Sequence, residues 1–258
     1  MSAPSPQVAF AAAARRDGRA ALVTVVEGEP LGAKLFVDAD GARVGSLGDE
    51  ALDVAAQVAA DELLWAERSE RRDVGEVAMF VDVTHPAPRL IAVGAVDYSA
   101  SLATLARACG WRAFVVDPRA RFATPERFPD AVEVVAAWPE PAIEHLGGVD
   151  AATAIVVLTH DPKLDDAALR VALASQAFYV GAMGSRRAQA ARRERLLALG
   201  ISEAEQERIS APAGLDLGAL SPQETALSIF AEIVAFKHGR VGGRLASSAG
   251  RIHEVGAT

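Results

Sequence analysis

The chain has 258 residues, of which 51% are apolar and 23% charged, and this composition excludes a mostly disordered or a fibrous protein. Its formal net charge of −8 disfavours binding to nucleic acids or anionic membranes, because such a surface repels phosphate groups. No apolar run approaches the roughly 18 residues of a membrane span. The single cysteine, Cys109, cannot form an internal disulfide or a cysteine cluster for zinc. We therefore expect a cytoplasmic protein whose partners are small molecules or another protein.

Residues 1–85 predict a small α+β domain. Apolar periodicity and turn residues indicate a helix over 6–17, strands over 21–27, 33–38 and 42–47, a helix over 49–67 and a strand over 77–83. The proline-rich segment 85–89 then interrupts the pattern, because proline restricts its own backbone and that of its predecessor. We place a domain boundary there, with a second domain over 90–240 and a tail over 241–258.

The second domain alternates strands and helices, which is typical of a parallel sheet with crossover helices. The expected strands cover 90–94, 113–116, 132–135, 154–158 and 178–180, and the expected helices cover 98–109, 164–175, 186–199 and a segment that begins at Ser221. The predicted fold class is thus α/β, with a Rossmann-like C-terminal domain built on a mostly parallel sheet. Folds of this kind bind ligands at the carboxyl ends of their strands.

The first strand-to-helix turn of this domain has the position of a dinucleotide fingerprint. Gly94 opens the turn, and Asp117 follows at about the distance where an acid would bind a ribose hydroxyl. Val96 replaces the second glycine of the fingerprint, and Asp97 places a negative charge where phosphates would bind. Binding of NAD(P) and a turn that only packs helix on strand both stay open. Arg119 either holds an anionic group or belongs to a plain turn.

A second candidate follows the apolar strand 154–158. Asp161 and Pro162 are suited to begin a helix, which leaves Thr159 and His160 free for a ligand. Histidine at such an edge can exchange a proton or donate a hydrogen bond near neutral pH. The alternative is that His160 is a hydrogen-bonded turn residue.

The segment 181–187 is the most suggestive. Gly184 frees the backbone, Ser185 is placed to cap a helix, and Arg186 and Arg187 stand in its first turn, where cations oppose the helix dipole. A bound phosphate or carboxylate would remove that conflict. The alternative is a solvated arginine face that continues along the helix through Arg192, Arg193 and Arg195.

Three further features of the sequence bear on function. Asp216 is the only charge in the glycine-containing loop 211–219, and it binds either a ligand or loop amides. Cys109 falls on the apolar stripe of its helix, which predicts a buried, inert thiol. The five histidines show no metal-ligand spacing, so we predict no metal site and no catalytic residue.

Several motifs together resemble one known family. They are Gly94-Ala-Val-Asp97, Val116-Asp-Pro-Arg119, Leu158-Thr-His-Asp-Pro162, Val180-Gly-Ala-Met-Gly-Ser-Arg-Arg187 and Gly214-Leu-Asp-Leu-Gly218. In these blocks the chain resembles the XdhC/CoxI family of xanthine dehydrogenase accessory proteins, and residues 1–85 resemble the small N-terminal domain of that family.

The resemblance implies a cytoplasmic cofactor chaperone. Such a protein would bind the molybdenum cofactor transiently, as molybdopterin or its dinucleotide form, and deliver it to a molybdenum hydroxylase apo-enzyme. Ser185, Arg186 and Arg187 would hold phosphate. His160 and Asp216 would contact the pterin, and Asp117 would contact a ribose if a nucleotide form is bound. The complete predicted cofactor-binding set is Gly94, Asp97, Asp117, Arg119, Thr159, His160, Gly184, Ser185, Arg186, Arg187 and Asp216.

Two departures from the family pattern limit what the resemblance carries over. Val96 and Asp97 stand where many relatives have glycine and histidine, and the loop 45–51 lacks the cysteine of CoxI-type relatives. An NAD(P)-dependent oxidoreductase with a degenerate fingerprint is the alternative function, and a scaffold that binds protein alone is a third. The sequence leaves homodimer formation open.

Overall fold

The computed structural model describes residues 4–16 and 18–247, with Arg186 described by its backbone alone. The predicted tail therefore lies outside the described residues from 248 onward. Within the described part of the tail, residues 245–247 form one turn of 3-10 helix. The chain divides into two compact units, Met1–Ala87 and Pro88–Thr258.

The first unit is an antiparallel five-stranded sheet with two helices. Its elements are α1 (Pro6–Arg15), β1 (Ala20–Glu27), β2 (Lys34–Asp38), β3 (Arg43–Ser46), α2 (Glu50–Ala66), β4 (Glu70–Val74) and β5 (Val77–Thr84). The strand order is β3-β2-β1-β5-β4. The apolar side of α2, including Leu63, packs with Val23 of β1 and Val81 of β5 in the core of this unit.

The predicted elements of the first unit are present, and the structure adds β4. Its sequence, Glu-Arg-Arg-Asp-Val, has no apolar alternation because β4 is an edge strand. Pairing of Glu70 with Val81 and of Val74 with Val77 on β5 holds it in the sheet. Backbone pairing, which no local pattern reports, thus defines this strand.

The second unit is a parallel sheet flanked by helices. Its elements are β6 (Arg89–Val93), α3 (Asp97–Ala108), β7 (Arg112–Val116), a 3-10 turn (Pro125–Arg127), β8 (Glu133–Val135), α4 (Pro139–His145), β9 (Thr153–Val157), α5 (Pro162–Leu173), β10 (Tyr179–Ala182), α6 (Arg186–Ala198), α7 (Glu203–Gln206), β11 (Ile209–Ser210) and α8 (Pro222–Lys237). The sheet order is β11-β10-β9-β6-β7-β8, and every pairing is parallel. The predicted α/β fold class is confirmed.

The order of the strands creates a switch point between β6 and β9. From β6 the chain adds β7 and β8 on one side, and it then crosses back to add β9, β10 and β11 on the other. Val93 of β6 pairs with both Val116 of β7 and Val157 of β9, so these three strands end at the same level. In open sheets of this type a crevice forms at that point, outside the carboxyl ends of the strands.

The structure also corrects one prediction. Cys109 is exposed rather than buried. It follows the last residue of α3 as the C-cap, and its N–H donates to the carbonyls of Leu105 and Ala106. The chain leaves the helix at this residue, so helical periodicity no longer determines which way its side chain faces. Among the described helices, none has both the length and the apolar character needed to cross a bilayer.

Candidate functional site

The loops after β6, β7, β9 and β10 meet at one edge of the parallel sheet. Backbone hydrogen bonds continue the ladder just past the strands: the Gly94 N–H donates to the Val116 carbonyl at 2.8 Å, and the Leu158 N–H donates to the Val93 carbonyl at 2.8 Å. The Met183 N–H donates to the Val157 carbonyl at 2.9 Å. The predicted site residues that follow these strands therefore share one edge.

Gly94 brings the first loop close to the loop after β9. Its φ is +118°, and a Cβ atom built on it would lie 3.0 Å from the Thr159 Cγ2 and 3.4 Å from the Leu158 carbonyl carbon. A side chain at this position would therefore strain the backbone and also push the two loops apart. Gly94 is required for the narrow approach at the switch point.

Asp97 begins α3 with an exposed side chain. One of its carboxylate oxygens lies 3.5 Å from the Arg127 Nη2. The carboxylate places negative charge at the helix end where a phosphate would otherwise be favoured. The first strand-to-helix turn is therefore poorly suited to a pyrophosphate.

Asp117 is fully enclosed, and four N–H groups surround its carboxylate. Oδ2 accepts from the Ala95 N–H at 2.8 Å and the Arg119 Nη2 at 2.7 Å, while Oδ1 accepts from the Arg119 N–H and Nε, both at 2.9 Å. Burial opposes ionisation of Asp117, but the hydrogen bonds from Arg119 and from the backbone outweigh it and lower the pKa. The carboxylate joins the first turn to the end of β7 and leaves no oxygen exposed for a ribose.

Arg119 remains half exposed while it pairs with Asp117. The hydrogen bond to Asp117 raises the pKa of Arg119, with a smaller contribution from the charge of Asp161 in the loop after β9. The guanidinium carbon also lies 5.1 Å from the centre of the Phe122 ring. Arg119 thus places positive charge at the switch point, although its Nε and Nη2 both donate hydrogen bonds to Asp117.

Thr159 and His160 differ sharply in their surroundings. Thr159 is buried, donates from Oγ1 to the Asp165 Oδ1 at 2.5 Å, and accepts the Asp161 N–H at 3.0 Å. Thr159 thus shapes the loop, which is a structural role that the sequence did not reveal. His160 is exposed, and no described residue makes a hydrogen bond to its ring. Of the two, only His160 can reach a ligand without breaking a contact within the protein.

Arg192 connects the loops after β9 and β10 through buried side-chain hydrogen bonds. Its side chain is buried, and Nη2 donates to the Asp165 Oδ2 and to the Met183 carbonyl, both at 2.9 Å. Nη1 donates to the side-chain oxygen of Gln189. Arg192 was expected only as a member of a solvated arginine face, and no sequence motif marks it as buried. Its role depends on Asp165, which lies 27 residues earlier in the chain.

The loop after β10 leads directly into α6. Gly184 has a φ of +127°, and Ser185 caps the helix by accepting the Ala188 N–H at 3.3 Å. Arg187 is exposed, and the side chain of Arg186 lies outside the described residues. The first N–H groups of a helix have no acceptor within it, so this end attracts anions. No acidic residue lies in the first turn of α6, in contrast to α3.

Glu232, on α8, fixes the loop that contains Asp216. Its Oε2 accepts the Gly214 N–H at 2.8 Å and the Tyr179 hydroxyl, and its Oε1 accepts the Ser210 hydroxyl at 2.7 Å. Burial raises the pKa of Tyr179, and the hydrogen bond and charge of Glu232 add to that increase. Asp216 itself is exposed. Glu232, which no sequence motif marks, therefore holds this loop in place, the role that was one alternative for Asp216.

The predicted site residues divide into those that the protein itself engages and those that are exposed. Within residues 4–16 and 18–247, no group of three or more His, Cys, Asp or Glu side chains could hold a metal ion. Asp117 and Thr159 are engaged by the protein, whereas His160, Arg187 and Asp216 are exposed. The fold and the edge together define a Rossmann-type α/β protein with a candidate ligand site at the switch point.

Comparison with known proteins gives the family. Residues 90–233 match the XdhC Rossmann domain, and residues 13–75 match the XdhC and CoxI family. The chain belongs to the XdhC family, as its motifs predicted.

Two relatives illustrate the range of similar proteins. A probable xanthine dehydrogenase subunit of Bacillus subtilis (strain 168) is 34% identical over 158 residues, which are 60% of this chain and 45% of the relative. The molybdenum cofactor insertion chaperone PaoD of Escherichia coli (strain K12) is 35% identical over 89 residues, which are 34% of this chain and 28% of PaoD. The chain thus matches less than half the length of these relatives.

A solved structure shares the fold. The crystal structure of a xanthine dehydrogenase from Bacillus halodurans superposes with a TM-score of 0.54 at 19% identity. The superposition covers 95% of this chain and 98% of that one. At this level of identity the similarity establishes the common architecture.

Proposed function

We propose that this protein is an accessory factor that binds the molybdenum cofactor and delivers it to a xanthine dehydrogenase-like molybdenum hydroxylase. Membership of the XdhC family and similarity to a chaperone named for molybdenum cofactor insertion support the proposal. The observation that carries it is the N-terminal end of α6, where free backbone N–H groups and the exposed Arg187 lie on the same sheet edge as the exposed His160.

The residues present suit the phosphate that molybdopterin carries. Gly184 has a backbone conformation that glycine favours, and a Cβ there would lie 3.3 Å from the Ala188 Cβ, so a larger residue would crowd the start of α6. Charge-assisted hydrogen bonds from Arg187 and helix N–H groups are strong phosphate contacts. In this proposal the N-terminal end of α6 binds the phosphate, and His160 and Asp216 contact the pterin.

The same geometry disfavours the alternative of an NAD(P)-dependent oxidoreductase. Asp97 places negative charge at the α3 end, and the carboxylate of Asp117 is already engaged by Ala95 and Arg119. A dinucleotide would need both positions. When bound, the molybdenum cofactor would supply the redox centre of the recipient hydroxylase, while this chain orients and shields it.

The test is to purify the protein from cells that make the cofactor and to measure the pterin released from it as a fluorescent oxidation product. We expect Arg187→Ala to weaken binding by about 1.5–3 kcal/mol, the value of a hydrogen bond to a charged group. The double change of Arg186 and Arg187 to alanine should weaken it further. Arg170→Ala, on the exposed ion pair with Glu140, is the matched control and should retain binding.

Three results would separate the alternatives. Wild-type levels of pterin on the double variant would remove the arginines from the site. Saturable binding of NADH with no pterin would favour the oxidoreductase. Co-purification with the hydroxylase while neither ligand binds would indicate a scaffold that recognises protein alone.

A further inference from the structure

The outward faces of α3 and α8 form one nearly uncharged surface of the second unit. The two helices lie side by side, because Leu102 and Ala106 of α3 pack with Ile229 of α8 in one core cluster. Between Asp97 and Arg107 the sequence of α3 contains no charged residue. The solvent face of a surface helix normally carries charged residues, so this composition is unusual.

The helix α8 has the same character. Between Glu224 and Lys237 it contains one charged residue, Glu232, whose carboxylate is turned to β11 and the loop after it. On the outward side Leu227 is 48% exposed, and Leu220, just before the helix, is 93% exposed. Exposed leucines on an uncharged surface indicate that another molecule covers it.

A groove of about 370 Å³ lies between the two helices on this surface. Gln223 of α8 forms one wall. The other wall consists of α3 side chains, most of them small: Ala100, Ser101, Thr104 and Leu105. Leu227 follows Gln223 by one helical turn and therefore lies on the same side of α8. The surface thus combines a hollow with an exposed apolar side chain next to it.

A second copy of this chain complements this surface in shape. Under two-fold symmetry a patch on one copy meets the same patch on the other, so the patch must be complementary to itself. A hollow and an exposed leucine side by side meet that requirement. The axis can place Leu227 of each copy against the partner's groove.

The charges at the helix ends fit the same arrangement. Asp97 and Arg107, both exposed, stand at opposite ends of α3. Likewise, α8 has Glu224 in its first turn and Lys237 in its last. A two-fold axis perpendicular to the helices runs them antiparallel, so each acidic end faces a basic end of the partner. A copy of the chain supplies this charge pattern by symmetry.

The groove has the position that this arrangement requires. Its α3 residues fall midway between Asp97 and Arg107, which are about 15 Å apart along the helix. An axis through the groove therefore brings Asp97 of each copy level with the partner's Arg107.

We propose that α3 and α8 form the interface of a homodimer, in which Leu220 and Leu227 of each copy pack against the partner's groove. Apolar contact at the centre and charged residues at the rim are the usual arrangement of a specific interface. The proposal concerns assembly alone and does not depend on which cofactor the sheet edge binds.

The test is sedimentation velocity of the full chain over a series of protein concentrations, which should reveal a species of twice the mass of one chain. Leu227→Glu should raise the dissociation constant of the dimer on the order of 100-fold or more, because symmetry buries the leucine twice. Leu197→Glu is the matched control. Leu197 lies on α6 with a similar exposure of 44%, and its substitution should leave the dimer unchanged.

Charge exchange tests the orientation of the two copies. Asp97→Arg and Arg107→Asp should each raise the dissociation constant roughly 2- to 10-fold, and the double variant should return it towards the wild-type value. A double variant no better than the single ones would overturn the antiparallel arrangement and with it the proposal.

Two other results would also overturn it. A wild-type chain that is monomeric at every concentration would show that a different molecule, such as another protein, covers this surface. A dimer that Leu227→Glu leaves intact would show that the copies meet elsewhere.

Discussion

The guanidinium of Arg192 and the carboxylate of Asp165 lie 2.9 Å apart, and both side chains are almost completely buried. This pair connects α6 to α5 and, through Thr159 and the Met183 carbonyl, supports the loops at the ends of β9 and β10. The candidate site is thus supported by a buried ion pair that lies next to Thr159 and Gly184, two of the predicted ligand positions.

Breaking this pair should be strongly destabilising. Arg192→Met leaves the Asp165 carboxylate buried without its cation, so we expect a loss of about 3–5 kcal/mol in the free energy of unfolding. Urea denaturation followed by circular dichroism measures it. Arg170→Met, which breaks the exposed pair with Glu140, should cost no more than about 1 kcal/mol. Equal losses in the two variants would show that burial of the Arg192 pair has no energetic consequence.

A side chain at position 94 should disturb both the backbone and the neighbouring loop. Gly94→Ala combines a φ of +118° with a Cβ only 3.0 Å from the Thr159 Cγ2, and we expect a loss of roughly 1–3 kcal/mol. Gly110→Ala is the control, because its φ is +77° but a Cβ there would meet open space. Thermal and urea unfolding of both variants separate the steric cost from the backbone cost. A Gly94 variant no less stable than the Gly110 variant would contradict the close approach of the loops.

Stability at acid pH should depend on Asp117. Its pKa is lowered in the folded state, so its carboxylate contributes fully above the unfolded-state pKa of about 3.9, and the contribution is lost as the pH falls through the folded-state pKa. Asp117→Asn should therefore be less stable than the wild type near neutral pH, and the gap should narrow below about pH 4. Asp216→Asn, at an exposed position, is the matched control. A gap that stays constant down to low pH would refute the assignment.

Because of Tyr179 and Glu232, the stability of the fold should depend on pH in the alkaline range. Burial first, and then Glu232, raise the pKa of Tyr179, so its neutral form favours folding. Stability should fall as the pH rises above the unfolded-state pKa of about 10 towards the folded-state pKa. With Tyr98→Phe in the background, Tyr179 is the chain's one tyrosine, and its ionisation can be followed by ultraviolet absorbance.

Glu232→Gln removes the negative charge next to that hydroxyl, so the pKa of Tyr179 should move down. The same variant should speed hydrogen exchange at the Gly214 amide, because the Gly214 N–H donates to the Glu232 carboxylate. An unchanged Tyr179 titration together with unchanged exchange at Gly214 would show that Glu232 does not brace the loop.

Local patterns predicted most of the architecture. The apolar runs of β6, β7 and β9 and the capping residue of α8 were visible because burial and helix initiation leave a mark on adjacent residues. The short elements β4, α4, α7 and β11 were not predicted. They have from two to seven residues, too few for a periodic pattern to mark them.

The sequence by itself determined the α/β class, the family motifs and the set of residues that follow the strand ends, because strand direction and parallel topology bring those positions to one edge. Only the tertiary structure decided which of them face outward. Asp117 and Thr159 have structural roles, because Asp117 accepts hydrogen bonds from Arg119 and Thr159 donates one to Asp165. Arg192 became a buried support because Asp165 lies opposite it, and such a pairing across helices leaves no periodic mark in the sequence.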